Sequence, residues 1–142
     1  MMGGGPTKDK KFVQKIMAQL KAGRSEICAV SDKLGSPTYT HDFAANSKIL
    51  LESECRGLYN MTGLGETSRL EVASEILQIL GLTDTVDIKE VDSAFFGQEY
   101  FAVRPRSERL VNRKLELLGL NVMRDWRIAL REYLNTDYRG YL

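Results

Sequence analysis

Apolar residues recur at helical spacing along several stretches of this chain, and shorter apolar runs lie between them. Phe12, Val13, Ile16, Met17 and Leu20 form the first stripe. Thr7 is placed to cap it and Gly23 to stop it, while Lys10, Lys11, Lys15 and Lys21 fall mostly off the stripe. A second helix, from His41 to about Glu54, carries Phe43, Ala44, Ile49, Leu50 and Leu51. Leu70, Ala73, Ile76, Leu77 and Leu80 predict the buried face of a third, ended by Gly81. Asn112 to Gly119 reads as a short helix, and Trp126, Ala129, Leu130, Tyr133 and Leu134 stripe the last one. Ile27 to Val30 and Gly57 to Met61 suit strands. Val86 to Val91 alternates imperfectly, with Val86, Ile88 and Glu90 on one face and Asp87, Lys89 and Val91 on the other. Asp92 to Ser107 has no clean period and mixes aromatics with Arg104 and Arg106, as expected of a loop.

Two of these helices have well-specified entrances. Pro37 fixes its own φ and pushes Ser36 towards an extended conformation, so Gly35 to Thr40 enters the second helix as a stiff turn. Thr40 is expected to cap that helix through its hydroxyl, and Asp42 to set a negative charge at the positive end of its dipole. Ser68 and Glu71 stand at capping-box spacing, each side chain able to satisfy the other's backbone N–H.

Composition narrows the classes of function. The chain has 142 residues, 43% hydrophobic and 27% charged, the profile of one globular unit over residues 1–142. Lys and Arg total 20 against 19 acidic residues, so the net charge of +1 provides no whole-molecule field for nucleic acid or an anionic membrane. No run approaches the roughly 20 apolar residues of a membrane span, and Met1 to Pro6 has no signal-like core, so a cytoplasmic location is expected. Cys28 and Cys55 lack metal-ligand or redox spacing and read as reduced structural thiols. With His41 the only histidine, neither a zinc site nor a Cys-His pair is readily assembled.

Each motif that carries chemistry has a structural reading beside it. Gly63-x-Gly65-x-x-Ser68 follows an expected strand and opens a helix, as a dinucleotide fingerprint does. Ser68, however, replaces the third glycine, and Glu66 would place a carboxylate beside a pyrophosphate, so a structural turn is preferred. Arg104, Arg106 and Arg109 form either a phosphate-binding fork or a solvated face paired with Glu99 and Glu108. The lysines of the first helix have no interleaved aromatic platform and read as a solvated face. Trp126 is most simply core, and His41 a surface or loop-packing residue rather than a general base.

Taken in order, these pieces resemble the C-terminal half of the dTDP-4-dehydrorhamnose reductases and their sugar-nucleotide-binding relatives among the extended short-chain dehydrogenases/reductases. The matching residues are Gly3-Gly4-Gly5-Pro6 with Lys11-Phe12-Val13; Gly35-Ser36-Pro37-Thr38-Tyr39-Thr40 with Asp42-Phe43-Ala44; Gly57-Leu58-Tyr59-Asn60-Met61; Gly65-Glu66-Thr67-Ser68; Arg104-Pro105; and Asp125-Trp126-Arg127 with Ala129-Leu130. The resemblance implies an α/β chain, mostly helical with a few short strands, that forms the C-terminal substrate-binding portion of such an enzyme. In the family an N-terminal Rossmann domain holds NADPH or NADH, hydride passes to the C4 ketone of a nucleotide-sugar, and the Tyr of a Tyr-x-x-x-Lys pair supplies the proton.

This chain departs from that pattern. It has no Gly-x-x-Gly-x-x-Gly, and none of its six tyrosines is followed four positions later by lysine. The Rossmann half, the cofactor fingerprint and the catalytic pair are therefore expected before Met1, and the chain is expected to be a fragment or split product that binds no cofactor by itself and is inactive alone. Resemblance implies a dTDP-sugar or related nucleotide-sugar as ligand. It assigns Arg104 to the diphosphate, Lys11 and Phe12 to the nucleotide, and the Gly3–Pro6 loop, with Gly5, and the Gly35–Thr38 turn, with Pro37 and Thr38, to the pocket wall. It also implies that Gly57 to Met61 joins the missing half's sheet, so that the isolated chain associates or aggregates through an open edge and an apolar face. The alternative is a non-enzymatic regulatory subunit that resembles these reductases and binds a partner enzyme.

Overall fold

The computed structural model describes residues 1–97 and 105–142. The elements run α1 (Gly5–Lys8), α2 (Phe12–Lys21), β1 (Glu26–Val30), β2 (Leu34–Gly35), α3 (Thr40–Glu52), β3 (Thr67–Ser68), α4 (Arg69–Leu80), β4 (Asp87–Val91), a 3-10 turn (Ser93–Phe96), α5 (Arg113–Leu117) and α6 (Trp126–Asp137). The class is α/β, with helices dominating and strands short.

α4 is the centre of the molecule. Val72, Ala73, Ile76 and Leu77 are buried on its inner face, and it packs on β1, β4, α2 and α6. The two longer strands run parallel, Glu26 beside Asp87 through to Val30 beside Val91. Joining parallel neighbours demands a long crossover, which here carries α3 and α4. The core continues through Ile16, Met17, Ile27, Trp126, Leu130 and Tyr133, and Trp126 is fully buried, as its place in an apolar stripe implies. The Ser68–Glu71 capping box forms as read, and Gly81 closes α4 at φ 66°.

Three local expectations are corrected. The helix expected from Thr7 to Gly23 is broken, because Asp9 is extended between α1 and α2. Its buried carboxylate accepts from the Lys11 N–H at 2.7 Å and from the Tyr133 hydroxyl at 2.9 Å, and those bonds hold the chain out of helix. Thr40 does not cap α3: Tyr39 is the N-cap, without a side-chain bond, and Thr40 is already helical. Asp42 does stand in the first turn of α3, as expected, and its carboxylate there also holds the Arg124 guanidinium. Gly57 to Met61 is not a strand. This segment is held by side chains, with the Lys114 ammonium 3.9 Å from the Tyr59 ring centroid and the Asn60 amide donating to the Val111 carbonyl.

The attachment of α3 inverts the usual pattern. Its fully buried residues are Asp42 and Asn46, whereas Leu51 is 79% exposed. The Asn46 amide donates to the Leu120 carbonyl at 3.1 Å, and its oxygen accepts from the Val122 N–H at 3.0 Å. One turn earlier, Asp42 holds Arg124. The helix is thus fastened to the 120–124 segment by polar groups four residues apart on one face.

Candidate functional site

The stiff turn after β2 is built into the fold by its neighbours on both sides. The Met2 N–H donates to the Thr38 carbonyl at 2.7 Å, and the Thr40 N–H donates to the Met2 carbonyl at 2.9 Å, so the N-terminus lies parallel to Thr38–Thr40. β2 pairs antiparallel with β3, Leu34 beside Ser68 and Gly35 beside Thr67. On its other side the Leu34 N–H donates to the Arg106 carbonyl and the Glu108 N–H to the Leu34 carbonyl. Thr38 is buried behind the turn, where its hydroxyl lies 3.3 Å from that of Thr62 and accepts from the Gly63 N–H at 3.1 Å. Asn112 locks Thr62 in turn, accepting from its N–H at 2.9 Å and donating to its carbonyl at 2.8 Å.

These pairings leave a cavity of about 570 Å³ between the start of α2, the β2 turn and the start of α4. Phe12, Val13, Val30, Leu34 and Val72 supply apolar wall, and Lys11, Lys33 and Arg69 bring positive charge, with Glu108 the acidic residue among the described lining. Such a site suits a ligand with an apolar or aromatic body and an anionic part.

The expected site residues divide. Lys11, Phe12 and Pro37 meet in the cavity wall, together with Gly35 and Ser36. Gly5 is not in the wall; it lies against Asp137 of α6. Thr38 is one layer behind, in the hydroxyl network. Arg104 lies outside the described residues, and Pro105, its successor, lines the cavity. Arg109 pairs with Glu66 and Ser107 rather than with Glu108. His41 is exposed on α3, its ring 4.6 Å from that of Tyr39, which fits the surface alternative of the surface or loop-packing role read for it. Arg69 and Lys33 were not singled out by sequence reasoning. The signal for Arg69 was present in its position, directly after the capping residue Ser68 at a helix start that faces the turn.

The glycine-rich turn does not fit a dinucleotide. A Cβ on Gly63 would lie 2.0 Å from the Pro37 carbonyl oxygen, and one on Gly65 3.0 Å from the Trp126 ring, so both glycines serve close packing within the chain. The free N–H end of α4 is already occupied. Glu71 Oε2 accepts from the Ser68 N–H at 2.7 Å and from the hydroxyls of Ser68 and Thr67. The Ser68 N–H holds the Glu71 carboxyl below its usual value, so a charged carboxylate stands where a phosphate would have to enter. Among the described residues no group of three or more His, Cys, Asp or Glu is placed to hold a metal ion, and no helix is long and apolar enough to cross a membrane.

Comparison with known proteins agrees with this geometry. The spore coat polysaccharide biosynthesis protein SpsK of Bacillus subtilis is 37% identical over 123 residues, covering 87% of this chain and 41% of the relative. The dTDP-4-dehydrorhamnose reductase of Streptomyces griseus is 32% identical over 134 residues, covering 91% of this chain and 41% of its own. The chain therefore spans about two-fifths of the length of these curated relatives. Among solved structures, dTDP-4-dehydrorhamnose reductase from Yersinia enterocolitica superposes with a TM-score of 0.86 at 34% identity, over 96% of this chain and 46% of that one. The Bacillus anthracis reductase, solved in complex with NADP, gives a TM-score of 0.77 at 28% identity, over 90% and 43%. The model of the RmlD substrate binding domain matches residues 6–139, nearly the whole fold described above, and the chain belongs to that family.

Proposed function

We propose that this chain is the sugar-nucleotide-binding part of an NAD(P)H-dependent oxidoreductase of the dTDP-4-dehydrorhamnose reductase type, serving the synthesis of dTDP-L-rhamnose or a related cell-surface polysaccharide precursor. The observation that carries the reading is the cavity. The residues that the family resemblance assigns to the nucleotide, Lys11 and Phe12, and to the pocket wall, Pro37, line one concave site of mixed apolar and cationic character. Arg104 is assigned to the diphosphate, next to the lining residue Pro105. Reduction is assigned to an N-terminal nucleotide-binding half, in cis or in trans, because the one fingerprint-like turn of this chain is filled by its own packing. NADPH or NADH supplies hydride there. By itself the chain binds and orients the sugar nucleotide, excluding water from one side of it, and does not turn over.

Calorimetric titration of the chain with dTDP-rhamnose, alone and after addition of the N-terminal half of a homologous reductase, tests this. Saturable binding that tightens with the second half is the expected result. Absence of binding in both conditions overturns the reading.

A further inference from the structure

Resting on that reading of the cavity, we propose that Asp32 is a positioning residue, a clasp that holds two walls of the cavity at their working separation. One wall is formed by residues 33–37, which follow Asp32 directly in the chain. The other is the 3-10 turn after β4, from which Ser93, Ala94 and Phe96 line the cavity. The Ser93 N–H donates to Asp32 Oδ1 at 2.9 Å and the Ser93 hydroxyl donates to Oδ2 at 2.8 Å, so both carboxylate oxygens grip one residue. Paired bonds to a charged acceptor fix direction as well as distance.

The place of Asp32 in the fold makes this more than a local turn contact. β1 and β4 run parallel and end side by side at Val30 and Val91. Beyond them the chain diverges, the 31–33 loop entering β2 and the stiff turn while Asp92 enters the 3-10 turn. The Ser31 N–H still donates to the Val91 carbonyl at 3.1 Å, and one residue further on the Asp32 carboxylate spans the gap. Asp92 has a different task. Its carboxylate accepts from the Ala94 and Phe95 N–H groups and shapes the turn from within. The first wall is fixed by the pairing of β2 with β3 and with the 106–108 segment, and Asp32 registers the second wall against it. Without the clasp the turn samples other positions, and the apparent affinity of a ligand falls by the fraction of time the wall is in place.

The test titrates dTDP-rhamnose calorimetrically into the chain, alone and with the N-terminal half of a homologous reductase, and into variants at both ends of the clasp. Asp32→Ala is expected to weaken binding about 5- to 20-fold, and Ser93→Ala by less, because the bond from the Ser93 N–H survives. Asp32→Asn offers an oxygen to the Ser93 N–H and an N–H to the hydroxyl oxygen, so it should restore binding to within about threefold of the parent chain. The double variant Asp32→Ala with Ser93→Ala should bind no worse than Asp32→Ala alone. Asp32 is exposed, so every variant should keep the parent's urea midpoint, which separates positioning from a general loss of fold. Parent-like affinity in Asp32→Ala, failure of Asp32→Asn to restore binding, or a loss of affinity that tracks a fall in the urea midpoint overturns the assignment and leaves the cavity's proposed function standing. If the parent chain binds no dTDP-rhamnose in either condition, the proposed function and this assignment fall together.

Discussion

The α-carbon of Gly63 faces the carbonyl oxygen of Pro37 so closely that a Cβ there would stand 2.0 Å from it. Backbone meets backbone at this point, and neither side has a flexible end to move aside. The contact joins the stiff turn after β2 to the segment that Asn112 locks through Thr62. It decides between two readings of the glycine-rich stretch, since a glycine needed for close approach within the chain is not available to cradle a ligand.

Gly63→Ala is therefore expected to destabilise the fold by at least about 1–3 kcal/mol, the usual cost of overpacking. Gly35, in the same turn, has nothing within 4 Å of its added Cβ and no positive φ. Gly35→Ala is expected to change stability by less than about 1 kcal/mol. Urea unfolding of the two variants checks the contrast, and equal effects would contradict it.

Arg124 is expected to matter more for stability than an ordinary surface arginine. Its Nε and one terminal nitrogen both donate to Asp42 Oδ1, at 2.9 and 2.5 Å, and the other terminal nitrogen donates to Glu132 at 2.5 Å. The Asp42 side chain is 6% exposed against 35% for Arg124. Arg124→Met strands the buried carboxylate and is expected to cost about 2–3 kcal/mol, below the range for a fully buried pair because Arg124 keeps partial access to water. A double-mutant cycle with Asp42→Asn should return a coupling of at least about 0.5 kcal/mol. Limited proteolysis should cut α3 earlier in Arg124→Met, because Asp42 and Asn46 are its buried anchors.

What could be read from the sequence follows the range of the interactions involved. The Ser68–Glu71 box was legible because its partners are three residues apart. The α4 and α6 stripes were legible because burial against a neighbour imposes a period. The break at Asp9 was not, since its hydroxyl partner, Tyr133, is 124 residues away. The polar underside of α3 escaped for the same reason, with Arg124 82 residues from Asp42. Gly57 to Met61 has a strand's composition, yet side-chain bonds to the 111–114 segment claim it. Part of the cavity wall, Lys11, Phe12 and Pro37, came through family resemblance. Arg69 did not, because β2 and β3, which bring its neighbours to the turn, are two-residue strands that leave no periodic trace.

Acid sensitivity is expected from two carboxyls. The Ser68 N–H holds Glu71 below its ordinary value of 4.5, and the Arg124 bond does the same for Glu132. A group depressed in the folded state contributes fully above its unfolded value, and that contribution fades as pH falls through the folded one. Stability should therefore decline on acidification below about pH 4.5. Glu71→Gln, which can still close the capping box, is expected to flatten that decline with little loss at neutral pH. Ser68→Ala should cost about 1 kcal/mol at neutral pH. Chemical denaturation across the acid range separates the two effects, and an unaltered slope for Glu71→Gln would refute the first.

At alkaline pH the buried tyrosines set the limit. Burial, assisted by the Asp137 carboxylate, pushes Tyr39 up to about 12, and burial pushes Tyr138 up to about 12. Tyr133, which donates to Asp9, moves further in the same direction, again chiefly through burial. Groups raised in the folded state contribute fully below their unfolded value near 10. Above it the unfolded chain gives up its protons first, so stability is lost as pH climbs from 10 towards 12. Tyrosinate absorbance should then appear together with loss of helical circular dichroism. Tyr133→Phe removes the donor to Asp9 and is expected to cost about 1–3 kcal/mol at neutral pH. The Tyr138 hydroxyl is buried with no well-formed hydrogen bond among the described residues. Tyr138→Phe should therefore leave neutral stability within about 1 kcal/mol and move the alkaline midpoint upwards. A midpoint that falls instead would show that this hydroxyl supports the fold.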